Sequence, residues 1–141
     1  KHKDYIKMAN YHNPIYWVCS VPKGNIVEET RTHWMPLFDK YNYMSVFENH
    51  EHALKKTFPI RDNKVAKNGT YYLGNGKWGV SLSSTCHPNN STGMIEFMSE
   101  DNHYWSVVVS VSEGTVSYAP INSKGETIIP TFKQSIKDYL L

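Results

Sequence analysis

Apolar and polar positions along this chain fall into short runs rather than long periodic stretches. Residues 1–14 are polar with scattered apolar positions and read as an N-terminal arm leading to Pro14. Residues 15–21 form an unbroken β-branched and aromatic run that stops at Pro22-Lys23-Gly24-Asn25, a strand bounded by turn residues. Ile26, Val27 and Glu28 are placed to return as its hairpin partner. Residues 29–40 show no period and are interrupted by Pro36, which predicts a loop with room for at most a short helical turn. Residues 43–48 read as a strand. Residues 48–58 read as a short helix, with Asn49 as N-cap, Glu51 and Lys55 in the favourable i, i+4 order, and Pro59 just past the end.

The second half alternates more cleanly. Residues 70–73 are followed by Gly74-Asn75-Gly76, and then Trp78, Val80 and Leu82 alternate with Lys77, Gly79, Ser81 and Ser83. Asn-Gly between two such runs predicts a hairpin. A polar loop over 84–93 leads into strands at 94–98, 103–111 and 115–118, with Glu113-Gly114 as a tight turn. The ending differs: Phe132, Ile136, Tyr139 and Leu140 lie on one helical stripe, with Thr131 as N-cap. The expected fold is therefore α+β, a twisted antiparallel sheet packed around a C-terminal helix with a second short helix, in one domain over residues 1–141. An all-β galectin-like sandwich is the alternative.

Composition narrows the function. The 141 residues are 40% hydrophobic, enough for a core, and 13% aromatic, including ten tyrosines and four tryptophans. The net charge is +2 and no basic run exceeds the pair Lys55-Lys56, which argues against nucleic acid as a partner. The longest apolar runs are too short to span a bilayer, so no membrane insertion is expected. A chain that opens on Lys1 reads as a piece of something longer. Two cysteines, Cys19 and Cys86, allow one disulfide or two buried thiols.

No catalytic signature stands out. His50-Glu51-His52 resembles a metal motif, but on a helix positions i and i+2 point about 200° apart and cannot share an ion, and on a strand, where they could, no third ligand is evident, so no metal and no cofactor are expected. Cys19 with His103 or His12 would be a nucleophile and base, yet Cys19 lies in an apolar run where burial quiets a thiol. What remains is aromatic and amide chemistry. A sugar presents an apolar C–H face and a rim of hydroxyls, and a ring flanked by amides and charges suits both. Trp17, Trp78 and Trp105 share strand faces with apolar neighbours and belong to the core. Trp34 sits in the polar stretch Arg31-Thr32-His33-Trp34. The expected glycan site is thus Arg31, His33 and Trp34, with Tyr72, Asn75 and Lys77 as a second rim. Sequons occur at Asn68, Asn89 and Asn90.

Asn13-Pro14-Ile15-Tyr16-Trp17-Val18, then Pro22, Gly24 and Val27-Glu28, are similar to the first strands of the receptor-binding head of the rotavirus outer-capsid spike protein. Lys77-Trp78-Gly79-Val80-Ser81, residues 107–118 and Lys124-Gly125-Glu126-Thr127 follow in a similar order. The resemblance is a pattern of strands and turns over most of the chain, and no site motif of that family aligns. It implies a non-enzymatic attachment domain of a larger spike protein on the virion surface. Its partners would be host cell-surface glycans, with galactose or N-acetyllactosamine units among them. A viral protein-interaction module that inhibits a host factor is the rival, and a small hydrolase built on Cys19 is a second.

Overall fold

The computed structural model describes residues 5–19, 24–77, 80, 93–100 and 102–140. Its centre is a five-stranded mixed sheet in the order β1-β2-β6-β3-β7, formed by β1 (Met8–Tyr11), β2 (Ser45–Glu48), β3 (Leu54–Thr57), β6 (Tyr71–Gly74) and β7 (Ile95–Ser99). β1, β2 and β6 run parallel, whereas β3 is antiparallel to both β6 and β7. A second sheet holds β8 (Tyr104–Ser110), β9 (Thr115–Ile121) and β10 (Phe132–Ser135), all antiparallel. A small hairpin of β4 (Ile60–Arg61) and β5 (Lys64–Val65) turns at Asp62 and Asn63, both at positive φ, as two-residue hairpins prefer.

Parallel strands need a crossover, and between β1 and β2 it is helical. Helix α1 (Ile26–His33) and helix α2 (Met35–Lys40) follow one another with only Trp34 between them. Acids in the first turn of α1 (Glu28, Glu29) and bases in its last (Arg31, His33) complement the helix dipole. The segment 29–40, expected as a loop with at most a short helical turn, is therefore corrected to helix on both sides of Trp34, and residues 26–28 open α1 instead of returning as a hairpin strand. Pro36 interrupts nothing, because it occupies the first turn of α2, where no intrahelical N–H is required.

The central sheet is covered on both faces. Val46, Ala53, Tyr72 and Ile95 pack with Ile15, Tyr16, Val18, Met35 and Phe38 on the helical side. Met44, Leu54 and Leu73 pack with Trp105, Val116, Tyr118 and Tyr139 on the side of the second sheet. Neighbours such as Tyr72 and Leu73 thus serve opposite cores, as the two-residue period of a strand dictates.

The α+β class holds and the all-β alternative does not, but several elements differ from expectation. The sheet is mixed, not antiparallel. The N-terminal arm contains β1, paired in register with β2. Residues 14–18 are mostly buried yet lie in no strand. Residues 48–58 form a turn and the interior strand β3 instead of a helix. The C-terminal helix is replaced by β10 and one 3-10 turn at Ile136–Asp138. There the Phe132 ring stacks on Tyr118 at 4.7 Å and meets Trp105 edge-on at 5.8 Å, so tertiary packing overrides the helical stripe. The strands near 94–98, 103–111 and 115–118 are present, but the first of them pairs with β3 rather than with its sequence neighbour. Of the expected hairpin partner over 77–83, residues 78, 79 and 81–83 lie outside the described residues.

A buried ion pair sits at the middle of the helical side. Lys55 is 1% exposed; its Nζ donates to Glu48 Oε2 at 2.6 Å and to the Tyr16 carbonyl. Glu48 Oε1 accepts from the Ile15 N–H and the Tyr11 hydroxyl, each at 2.7 Å. Removing one member of such a pair leaves an uncompensated buried charge. We expect Lys55→Met to lose about 3–5 kcal/mol in urea unfolding, and the double variant Glu48→Gln/Lys55→Met to lose clearly less than the sum of its parts. Simple additivity would show that the two side chains do not act as a unit.

Candidate functional site

In open sheets with parallel strands, ligands bind beyond the carboxyl ends of those strands. Here those ends carry His12, directly after β1, His50, two residues after β2, and Asn75, directly after β6. The turns are tied together. The backbone N–H groups of Asn49 and His50 both donate to the His12 carbonyl, at 3.1 and 2.8 Å. Asn49 Nδ2 donates to Asn10 Oδ1 and to the Tyr11 carbonyl, and its Oδ1 accepts from Asn75 Nδ2 at 2.8 Å. Asn75 Oδ1 in turn accepts from the Trp105 N–H.

This lattice brings two exposed imidazoles into edge contact. His12 Nε2 and His50 Nδ1 are 2.9 Å apart, with the rings nearly perpendicular at 79°. His52 follows in the same turn at φ 54°, so the helix on which His50-Glu51-His52 was expected to splay is absent. Glu51 points elsewhere: its carboxylate accepts from the backbone N–H groups of Val18 and Cys19 at 2.7–2.9 Å. Among the described residues, no group of three or more His, Cys, Asp or Glu side chains is arranged to hold a metal ion. The histidine pair escaped the sequence reading because its members are 38 residues apart; the available signal was a histidine just beyond each of two strands.

A groove of about 410 Å³ opens beside His12, walled by Tyr11, Ile26, Glu29, His33 and Trp34. Trp34 is 47% exposed and meets Tyr11 edge-on at 5.3 Å. His33 Nε2 lies 3.3 Å from Glu29 Oε2 along the outer face of α1. Burial first, and the Glu48 carboxylate second, push the Tyr11 hydroxyl well above the usual phenol range, so it stays a donor to that carboxylate.

The expected glycan residues therefore divide. His33 and Trp34 share the groove. Arg31 turns inward instead, donating to the Ile15 carbonyl at 3.2 Å and lying 5.9 Å over the Tyr16 ring. The second rim is a correction. Tyr72 is 0% exposed and faces the core, Lys77 is buried beside Glu100 at 3.5 Å, and Asn75 is spent on the lattice just described. Trp105 is buried as expected, Trp17 is only half-buried, and Trp78 lies outside the described residues. Cys19 is disulfide-bonded, which removes the thiol nucleophile that a cysteine hydrolase would need. Cys86, the other cysteine of the chain, lies outside the described residues.

No protein-family model matches the chain, and no curated protein does. Solved structures do. The chain is similar to the purple acid phosphatase PPD1 from yellow lupin (Lupinus luteus) seeds, at 19% identity and a TM-score of 0.71, over 95% of this chain and 26% of that one. It is also similar to GAP50, the anchor in the inner membrane complex of Plasmodium, at 16% identity and a TM-score of 0.63, over 89% of this chain and 35% of that one. The likeness is one of fold. The chain spans only a quarter to a third of the length of these two structures. Among the described residues, no helix is long and apolar enough to cross a membrane.

The two tryptophan and tyrosine positions separate groove from core. Trp34→Ala should lose about 1 kcal/mol, the worth of one exposed edge contact, and Tyr72→Ala about 3–5 kcal/mol. Equal losses in thermal unfolding would put Trp34 in the core and close the groove as a site.

Proposed function

We propose that this chain supplies imidazole ligands to a divalent metal centre of a phosphoester-cleaving site, with His12 and His50 as those ligands. The observation that carries the reading is the pair itself, two exposed rings from different strand ends with facing nitrogens 2.9 Å apart. Two imidazoles on one tetrahedral ion, each at about 2.1 Å, hold their nitrogens about 3.4 Å apart, so the hydrogen-bonded pair would open by about half an ångström to take an ion between the rings. Both turns are fixed in advance by the hydrogen bonds to the His12 carbonyl, which lowers the cost of presenting the rings together. A complete centre requires further ligands beyond these two. When bound, a divalent ion supplies Lewis-acid polarisation of a phosphoryl oxygen. The likeness to a purple acid phosphatase supports phosphoester cleavage as the class of reaction.

Titrating Zn²⁺ or Mn²⁺ into the chain while following the histidine ring resonances tests this directly. His12→Ala and His50→Ala should each weaken binding about tenfold or more, while Lys124→Ala, far along the chain in an exposed turn, should not. Unchanged affinity in both histidine variants would remove the pair from any metal site.

The half-exposed Trp34 favours a second reading, in which the groove seats a sugar on a host cell-surface glycan. An indole face suits the C–H side of a hexose, and many copies on a particle would raise weak binding by about 10²–10⁴-fold. This is the activity that the spike-head resemblance implies. On a glycan array, Trp34→Ala should abolish capture; an array with no hits for the unaltered chain rules the reading out.

A further inference from the structure

We propose that a cleft at the mouth between the two sheets binds a medium-chain carboxylate, its head on Lys56 and its tail against Phe97, Ile129, Pro130 and Phe132. The place is separate from the histidine pair, and the proposal does not depend on that pair. The cleft has a volume of about 400 Å³. Lys56, Glu96 and Phe97 of the central sheet line one side, and Ile129, Pro130 and Phe132, at the entry to β10, line the other. Its volume lies in the range of small-ligand sites, about 300–1,000 Å³. Apart from Lys56 and Glu96, every residue of the lining is apolar. The far wall is tied down, since Thr127 bridges to Ile121 and its hydroxyl donates to the Ile129 carbonyl.

An irregularity in β7 sets the charged end of the cleft. Leu54, Lys55 and Lys56 pair with Ser99, Met98 and Phe97, but Thr57 pairs with Ile95. Glu96 is therefore the extra residue of a bulge, with no partner on β3. In an unbroken strand Glu96 and Phe97 would face opposite sides of the sheet. Here both line the same cleft. Among the described residues β7 is also the edge of the central sheet. Bulges concentrate on edges and beside sites, where they re-aim a side chain. The side chain re-aimed here is a carboxylate that accepts from Lys56 Nζ.

Lys56 supplies the chemistry. It is 8% exposed, and an ammonium at that depth calls for acceptors. Its Nζ carries three N–H donors. Among the described residues its one oxygen partner is Glu96, and its other neighbours are the Phe132 and Tyr71 rings, with centroids 4.6 and 5.1 Å away. Ring faces balance the positive charge, but they are weaker acceptors than an oxygen. Donor capacity is thus left over at the closed end of an apolar cleft. The Glu96 side chain is 37% exposed, so it can turn toward water and share the ammonium at small cost. A ligand carboxylate meets the spare donors while an aliphatic chain covers the apolar walls. A neutral amphiphile satisfies the second requirement alone, which is why the class is an acid.

The test titrates octanoate, and in parallel 1-octanol, into the chain while following the Ile129 methyl resonances. Octanoate should give a saturable shift, with octanol bound about tenfold more weakly, the worth of a hydrogen bond to a charged group. Lys56→Met, close to the same length, should weaken octanoate about tenfold or more and leave octanol unchanged. Glu96→Gln removes the competing carboxylate and should tighten octanoate. Should Lys56→Met fail to fold, Pro130→Trp serves in its place. Pro130 is exposed, so an indole there should fill the cleft and abolish binding of both probes with the melting temperature unchanged. No saturable shift with octanoate overturns the proposal. So does equal affinity for octanoate and octanol, which would make the cleft a mere apolar surface, and so does octanoate binding that survives Pro130→Trp.

Discussion

A carboxylate with no water around it must be answered by donors, and the helical side of this molecule is arranged around that requirement at Glu48. One oxygen is met by the Ile15 N–H and the Tyr11 hydroxyl, the other by Lys55. Lys55 then satisfies the Tyr16 carbonyl, and Arg31 the Ile15 carbonyl. Glu51 takes the N–H groups of Val18 and Cys19. Residues 14–19 can therefore be buried without belonging to a sheet, because side chains supply what strand neighbours would otherwise supply. The cation–carboxylate pair is not a source of net stability so much as a fixed point whose loss would leave several backbone groups unpaired at once.

The same device explains where the sequence misleads. Residues 15–21 have the composition of a strand, and nothing local reveals that two distant glutamates will pair their N–H groups. Residues 48–58 look helical because Glu51 and Lys55 fall at i, i+4 and the segment is charged. In fact Lys55 is buried in β3, and its neighbour Lys56 lies across the opposite face, over the Tyr71 and Phe132 rings. An interior strand with two lysines defeats any reading by hydropathy. Strands whose environment is ordinary, such as β2, β6, β8 and β9, were legible to within a few residues, as was the Gly114 turn at positive φ. The α1–α2 pair was hidden because a proline weighs against a helix in sequence but is harmless in a first turn.

Legibility of the site followed the same division. Trp34 and His33 were visible as an aromatic and an imidazole in a stretch with no core periodicity, and they do share a groove. Tyr72 and Lys77 were placed at a rim by their polar ends alone, yet their apolar bodies are buried, the usual ambiguity of amphipathic side chains. Asn75 reads as a turn residue but acts as a clasp between β6 and Trp105. His12 and His50 could not be paired from sequence, since only the parallel register of β1 with β2 brings their turns to the same edge.

That register is what connects the buried pair to the exposed one. Tyr11, the last residue of β1, sends its hydroxyl inward to Glu48, the last residue of β2, while the residues that follow each strand carry the imidazoles outward. The two strand ends are consequently locked from both sides, by a hydroxyl–carboxylate bond beneath the edge and by two N–H groups on the His12 carbonyl above it. A site assembled this way owes its geometry to the sheet and not to loop conformation, which is the condition under which two rings from separate turns can be held at a separation suited to a common partner. The glutamate that complicates the fold is thereby the residue that ties this edge from beneath.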